Sequence, residues 1–210
     1  MGIAERKERE KQQRREQIIL AAEKVFISRG FGQATMDDIA ESAELSKGTL
    51  YLYFKSKEDL HVTVAVKAID LMNRETSEIK DMEGNAVQKL VKLGWAFIDF
   101  SKKYPDRMKS ILFLEGLDMQ RISMSVSDLR SVIYKGSPVA LVMEFVEQGV
   151  KENSIRKDVP AGIIANTLWV QMLSVIQLVT RKKGLIEMIG ITPEKLYESH
   201  FELVLNGVKP

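Results

Sequence analysis

Residues 45–60, LSKGTLYLYFKSKEDL, decide the fold of this chain. Ser46 can cap a short helix that runs to about Tyr53. Another short helix precedes it in the sequence, because Thr35 has a hydroxyl suited to an N-cap and Asp38 places a carboxylate at the third helical position. Two short helices joined by a turn of about three residues form a helix-turn-helix, whose second helix is small enough to enter the major groove of DNA.

The remaining sequence is also helical in pattern. Apolar residues recur at helical spacing, and no alternating strand pattern is present, so we predict an all-α protein. A first helix of about two dozen residues is expected to end at Gly30. Beyond the short helices and a longer one that opens at Ser56, helices are predicted at about 86–104, 106–117, 122–135, 138–152 and 160–182, then a break between Gly184 and Gly190, and a last helix from Pro193 to about Asn206.

Composition narrows the class of protein. The chain has 210 residues, 45% of them apolar, which is enough for a folded core. It has no cysteine, so disulfides and cysteine-based metal sites are excluded, in keeping with a cytoplasmic location. The charged N-terminus contains no apolar core of signal-peptide length. Through residue 57 there are eleven Lys/Arg against nine Asp/Glu, so contact with a polyanion must depend on where the charges point.

The second short helix carries side chains suited to DNA. Near its exposed N-terminal end lie Lys47, Gly48, Thr49 and Tyr51, while Leu50 and Phe54 can anchor it to the core. Gly48 costs about 1 kcal/mol relative to alanine, yet it removes a side chain where the backbone could approach DNA. The helix end and the next turn supply Tyr53, Lys55 and Lys57, which suit phosphate oxygens. Taken singly, such lysines are usually solvated and such tyrosines are usually packing residues, so the prediction depends on their order.

That order resembles a known family. The run AAEKVFISRGFGQATMDDIAESAELSKGTLYLYFKSKEDL is similar to the DNA-binding domain of the TetR family of bacterial transcriptional regulators, and the resemblance covers residues 16–60. It implies that Thr35 reaches a phosphate, that residues 47–49 and Tyr51 approach bases, and that the side chains beyond them hold the DNA backbone. The implied DNA-binding set is Thr35, Ser46, Lys47, Gly48, Thr49, Tyr51, Tyr53, Lys55 and Lys57.

One position departs from the family pattern. Glu44 occupies the turn where the family usually has glycine. A non-glycine residue in the left-handed conformation costs roughly 1–2 kcal/mol, so we expect a turn of different shape.

The resemblance also divides the chain into a DNA-binding domain, residues 1–57 with a basic N-terminal extension, and a regulatory and dimerisation domain, residues 58–210. It implies that the last two long helices pair with a second subunit. The segment Val159–Thr180 is uncharged and long enough to cross a bilayer, but it contains Asn166, Gln171 and Gln177. We therefore expect a helix buried between protein surfaces and no membrane span.

The larger domain holds many aromatic residues and methionines, which are packing residues first. If a cavity exists, they suit a bulky apolar ligand oriented by Asn166, Gln171 or Gln177. The predicted ligand-binding set is Trp95, Phe113, Trp169, Met172 and Gln171.

These features favour a homodimeric repressor that binds a near-palindromic DNA operator and is released by a small apolar effector. The alternative is a DNA-binding protein controlled by a protein partner. An enzyme is the weakest hypothesis, because His61 and His200 are far apart in sequence and no phosphate-cradling glycine loop is present. No metal and no cofactor are predicted.

Overall fold

The structure, a computed structural model, describes residues 2–114, 122 and 138–210. No strand occurs in these residues, which confirms the predicted all-α class. The helix predicted at 122–135 lies outside the described residues except for Ile122. The described helices are α1 (Ile3–Gln33), α2 (Met36–Ser42), α3 (Lys47–Tyr53), α4 (Lys57–Thr76), a 3-10 helix (Ser77–Asp81), α5 (Ala86–Lys103), α6 (Pro105–Leu114), α7 (Pro138–Lys151), α8 (Ala161–Met188) and α9 (Pro193–Val208).

The chain forms two compact units. Among the described residues, the first unit comprises 2–68, 109–114 and 122, and the second unit comprises 69–108 and 138–210. The first unit extends past the boundary predicted at residue 57, because Leu60 and Val64 of α4 are fully buried in its core.

The first helix is longer than predicted at its N-terminal end. It spans 31 residues from Ile3 to Gln33, so the charged N-terminal extension is helical. Regular helical geometry ends at Gly30, as predicted, because this residue has φ 73° and ψ 156°, a conformation that glycine adopts at little cost; residues 31–33 form a short helical continuation after the kink. The apolar positions Ile18, Ile19 and Ala22 have no exposed surface and hold α1 in the core of the first unit.

The second unit packs α5, α7, α8 and α9 around a separate core. Asn85 caps α5, since its side chain accepts a hydrogen bond from the Gln88 N–H at 3.0 Å. Phe97, Phe145 and Tyr197 are its largest fully buried side chains.

The end of α8 predicted at about residue 182 is confirmed, because regular helical geometry is interrupted at Lys182 (φ −126°, ψ 22°). The break predicted between Gly184 and Gly190 is wrong, since the residues after this kink are helical to Met188. The buried Ile186 anchors the last turn, so the helix tolerates the roughly 1 kcal/mol cost of a helical glycine at Gly184. The chain leaves the helix at Gly190, which has φ 78°.

Candidate nucleic-acid interface

Helix α2 begins with the predicted capping box. The Thr35 hydroxyl accepts a hydrogen bond from the Asp38 N–H at 3.1 Å and donates one to Asp38 Oδ2 at 2.7 Å. The Asp38 carboxylate also accepts the Thr35 N–H at 3.0 Å and forms an ion pair with Arg29. These hydrogen bonds to Thr35, together with the Arg29 charge, lower the pKa of Asp38. The start of α2 is therefore fixed by local bonds, and the Thr35 hydroxyl stays exposed beside them.

The turn after α2 contains a left-handed residue even though that residue is not glycine. Glu44 has φ 55°, so the expected change of turn shape does not occur. Two backbone hydrogen bonds fix the turn, from the Glu44 N–H to Glu41 O at 3.0 Å and from the Leu45 N–H to Ala40 O at 2.9 Å. The Glu44 side chain is exposed, and its backbone carries the strain that a glycine would avoid.

Two buried side chains anchor α3 to the core, as predicted, and its opposite face is exposed. Leu50 has no exposed surface and Phe54 retains 4%. Ser46 caps the helix, because its Oγ accepts the Thr49 N–H at 3.1 Å. Gly48 lies on the exposed face, and a Cβ there would meet only Ser46 Oγ, at 3.9 Å. The bare tip predicted for this helix is thus present.

Sequence reasoning missed one side chain of α3. Leu52 is 78% exposed, twice as much as Tyr51 at 37%. Its position two residues after the buried Leu50 could have revealed this, because helical neighbours two apart lie on different faces.

An open groove with a volume of about 430 Å³ is lined by Lys47, Lys55 and Lys57, and we call it the lysine groove. The groove brings together five of the nine predicted DNA-binding residues; Ser46, Gly48, Thr49 and Tyr53 do not line it. Its predicted members are Thr35, Lys47, Tyr51, Lys55 and Lys57.

The three ammonium groups are held differently. Lys47 forms an ion pair with Asp37 at 2.7 Å, and this hydrogen bond raises the pKa of Lys47. Lys55 makes one long bond, 3.3 Å, to the Tyr51 carbonyl. Lys57 is half-buried and donates to the carbonyls of Phe31 and Ala34, both at 2.9 Å, with its Nζ 4.4 Å from the centroid of the Phe31 ring. Lys57 therefore ties the end of α1 to the start of α4.

The predicted ligand-binding residues are dispersed. Trp169 and Met172 line an apolar cavity of about 50 Å³ in the second unit, together with Gly94, Phe97, His200 and Phe201 among others. Burial lowers the pKa of His200. Trp95 lies near this cavity without lining it, its ring 5.2 Å from that of Phe201.

The other two residues of that set lie elsewhere. Gln171 is exposed and lines a separate groove between α8 and α9. Phe113 belongs to the first unit, where its ring centroid is 4.3 Å from that of Phe31 and 4.7 Å from that of His61.

His61 is the buried titratable group of that aromatic cluster. It is 2% exposed, and its Nδ1 has no hydrogen-bond partner among the described residues. Burial, with a smaller contribution from the Lys57 charge, lowers the pKa of His61 to about 4. The ring is therefore neutral at ordinary pH.

A capped helix pair with a bare, exposed second helix beside lysines defines a helix-turn-helix protein of the DNA-binding class. Residues 18–63 match the family model described as bacterial regulatory proteins, tetR family. The match covers the second half of α1, all of α2 and α3 and the start of α4, so this segment of the first unit is a DNA-binding segment of the tetR-family type.

The HTH-type transcriptional activator FasR of Mycolicibacterium smegmatis is 37% identical over 89 residues, which are 42% of this chain and 40% of FasR. The matched part thus spans less than half the length of that relative.

Two solved structures share the fold over nearly the whole chain. FadR of Thermus thermophilus, a TetR-family repressor in complex with lauroyl-CoA, has a TM-score of 0.68 at 20% identity and covers 92% of this chain and 94% of its own. FadR of Bacillus subtilis, in complex with stearoyl-CoA, has a TM-score of 0.63 at 22% identity, covering 92% of this chain and 98% of its own.

Proposed function

We propose that this regulator is a cytoplasmic homodimeric repressor that binds a near-palindromic operator through α3 and is released by an apolar small molecule. The observation that carries the proposal is the pairing of a bare helix face at Gly48 with the adjacent lysine groove. A backbone without side chains can approach base edges closely, and ammonium groups beside it can neutralise phosphates.

The roles of the DNA-binding residues follow from their positions. Lys47, Thr49 and Tyr51, on α3, approach base edges. The DNA backbone is held by Thr35, Tyr53, Lys55 and Lys57. Lys55 uses one N–H internally and has two others for a phosphate. Lys57 uses two and has one left, so it both shapes the groove and contacts DNA.

A second copy of the chain is the proposed partner of α8. Its residues Ile163, Val170 and Leu178, spaced seven and eight apart, are 57%, 51% and 43% exposed; we call them the α8 stripe. Leu203 on α9 is 74% exposed. This spacing marks one helix face, and two such faces can form a four-helix bundle. Two recognition helices roughly 34–36 Å apart would then fit successive major grooves.

Helix α8 also has the length and hydropathy of a membrane span, and 28% of its apolar 18-residue stretch is buried. Asn166 and Gln171 are exposed within it, and they suit a protein interface better than lipid.

The proposed effector belongs to the class of long-chain acyl-CoA thioesters, the ligands named for the two FadR structures. The cavity beside Trp169 and Met172 is apolar but holds only about 50 Å³, whereas ligand pockets have about 300–1,000 Å³. Binding must therefore enlarge it. We expect Phe201 to move, because its ring fills the space beside Gly94: a Cβ built on Gly94 would lie only 2.4 Å from that ring. A coupling of about 1–3 kcal/mol would weaken operator binding roughly 5- to 150-fold.

The small cavity also favours a second candidate. A protein partner that docks on the second unit could control DNA binding without any enlargement.

Selection of bound fragments from the source genome, followed by gel-shift titration, tests these proposals. We expect one enriched near-palindrome whose affinity falls with lauroyl-CoA or stearoyl-CoA and not with coenzyme A alone. Unchanged affinity with both thioesters would leave the protein partner as the better candidate. The absence of any enriched fragment would remove the operator proposal itself.

A further inference from the structure

Leu52 is the most exposed apolar side chain of α3, the helix that is proposed to meet DNA. It is 78% exposed, although the neighbouring Leu50 has no exposed surface. No hydrogen bond can be made by its side chain, so it contributes nothing to the lysine groove. A single exposed leucine is ordinary on a protein surface, but this one lies four residues after the bare Gly48.

The four-residue spacing places Leu52 and Gly48 on the same strip of the helix surface. Helical spacing thus puts the exposed Leu52 side chain one turn beyond a residue that has no side chain. A Cβ built on Gly48 meets only Ser46 Oγ at 3.9 Å, so this space is open. The tip of α3 thus combines exposed backbone with one projecting pair of methyl groups.

The major groove offers one apolar partner for such a group. Among the base edges, only thymine presents a methyl group, at C5, while the other edge atoms are hydrogen-bond donors and acceptors. We propose that Leu52 fixes part of the operator sequence by packing against a thymine 5-methyl group. This inference rests on the proposed DNA binding through α3, and it adds an apolar reader to the polar roles of Thr49 and Tyr51.

Replacement of thymine by uracil tests this contact, because it deletes only the 5-methyl group. Each thymidine of the selected operator is changed in turn to deoxyuridine, in both half-sites, and dissociation constants are measured for the wild type and for Leu52→Ala. At one position the wild type should lose about fourfold in affinity per half-site, the equivalent of one buried methylene-sized group. Leu52→Ala should bind the parent operator more weakly and be indifferent to uracil at that position.

Two matched variants separate the contact from general effects. Tyr51→Phe changes the neighbouring residue and should keep the uracil penalty. Leu20→Ala alters a leucine on α1 that is 52% exposed and should behave as the wild type. Circular dichroism of all three variants checks folding, which should be unaffected because the altered side chains are exposed.

The outcomes distinguish this inference from the proposed function. If the wild type prefers an operator but no uracil position weakens it, or if Leu52→Ala keeps the same penalty, Leu52 does not read a thymine methyl. If the wild type has no preferred duplex, the proposed function and this inference fall together.

Discussion

The surface of the first unit around α3 differs from the surface of the second unit along α8, although the first unit also exposes single leucines at positions 20 and 52. The first unit exposes lysines, hydroxyls and the bare backbone of Gly48, held in place by caps and ion pairs. The second unit exposes the α8 stripe and Leu203. A polar, cation-bearing surface is stable in water and still available to a polyanion, whereas an apolar stripe is stabilised by burial against another protein surface. In the proposed function, one unit therefore meets DNA and the other meets a second copy.

The largest effect is expected from a charged residue introduced into the α8 stripe. Val170→Asp should prevent dimerisation, because a carboxylate would be buried in the interface without a partner. Loss of the second recognition helix should weaken operator binding by about 100-fold or more. Sedimentation equilibrium and gel shift measure the two effects. Leu20→Asp is the matched control, since Leu20 of the first unit is 52% exposed and Val170 is 51% exposed, and it should remain a dimer. A Val170→Asp dimer at low micromolar concentration would contradict the assignment of this face.

The next test concerns the aromatic cluster of the first unit. The pKa of His61 is lowered from 6.5 to about 4 by burial, so between these values the unfolded chain binds more protons than the folded one. The contribution of the neutral ring is therefore complete above about pH 6.5 and is lost as the pH falls toward 4, by up to about 3 kcal/mol. His61→Phe should flatten this dependence in urea unfolding measured from pH 7.5 to pH 4.5. Parallel pH profiles for the wild type and His61→Phe would show that His61 does not cause the loss.

A comparison of two groove lysines separates the contribution of an ammonium group to the fold from its contribution to DNA binding. Lys57→Met removes two bonds of a half-buried ammonium and should lower the free energy of unfolding by about 2 kcal/mol. Lys55→Met removes one long, exposed bond and should leave stability nearly unchanged. Each variant should reduce the salt slope of operator binding by about 0.9 for each phosphate that the missing ammonium group no longer neutralises. Equal stabilities of the two variants would mean that the Lys57 bonds contribute nothing to the fold.

The smallest expected effect lies in the turn at Glu44. Glu44→Gly removes left-handed strain of about 1–2 kcal/mol but adds chain entropy to the unfolded state, so a net gain of about 0.5–1 kcal/mol is expected. Glu44→Ala removes the carboxylate and keeps the strain, and it should show no such gain. Thermal unfolding of both variants decides whether the backbone or the charge matters.

Sequence patterns predicted the parts of the molecule that depend on near neighbours. The caps at Thr35 and Ser46 join residues three apart, and Leu50 with Phe54 follows from helical spacing. The bonds of Lys57 reach 26 and 23 residues back along the chain, so no local pattern encodes them. The placement of Phe113 beside Phe31 and His61 likewise depends on tertiary packing. The continuation of α8 past Gly184 depends on the burial of Ile186, which a sequence window does not reveal.

The contact between Gly94 and Phe201 sets a threshold for the proposed effector. With no side chain on Gly94, the aromatic ring rests directly on the backbone of α5 and closes the space beside Met172. Displacing that ring costs free energy. A short molecule buries too little apolar surface to offset this cost, whereas a long hydrocarbon tail buries enough. We expect operator binding to be unaffected by short-chain metabolites and to weaken only with ligands above a minimum tail length. The glycine at position 94 would thus set the chain-length selectivity of the regulator.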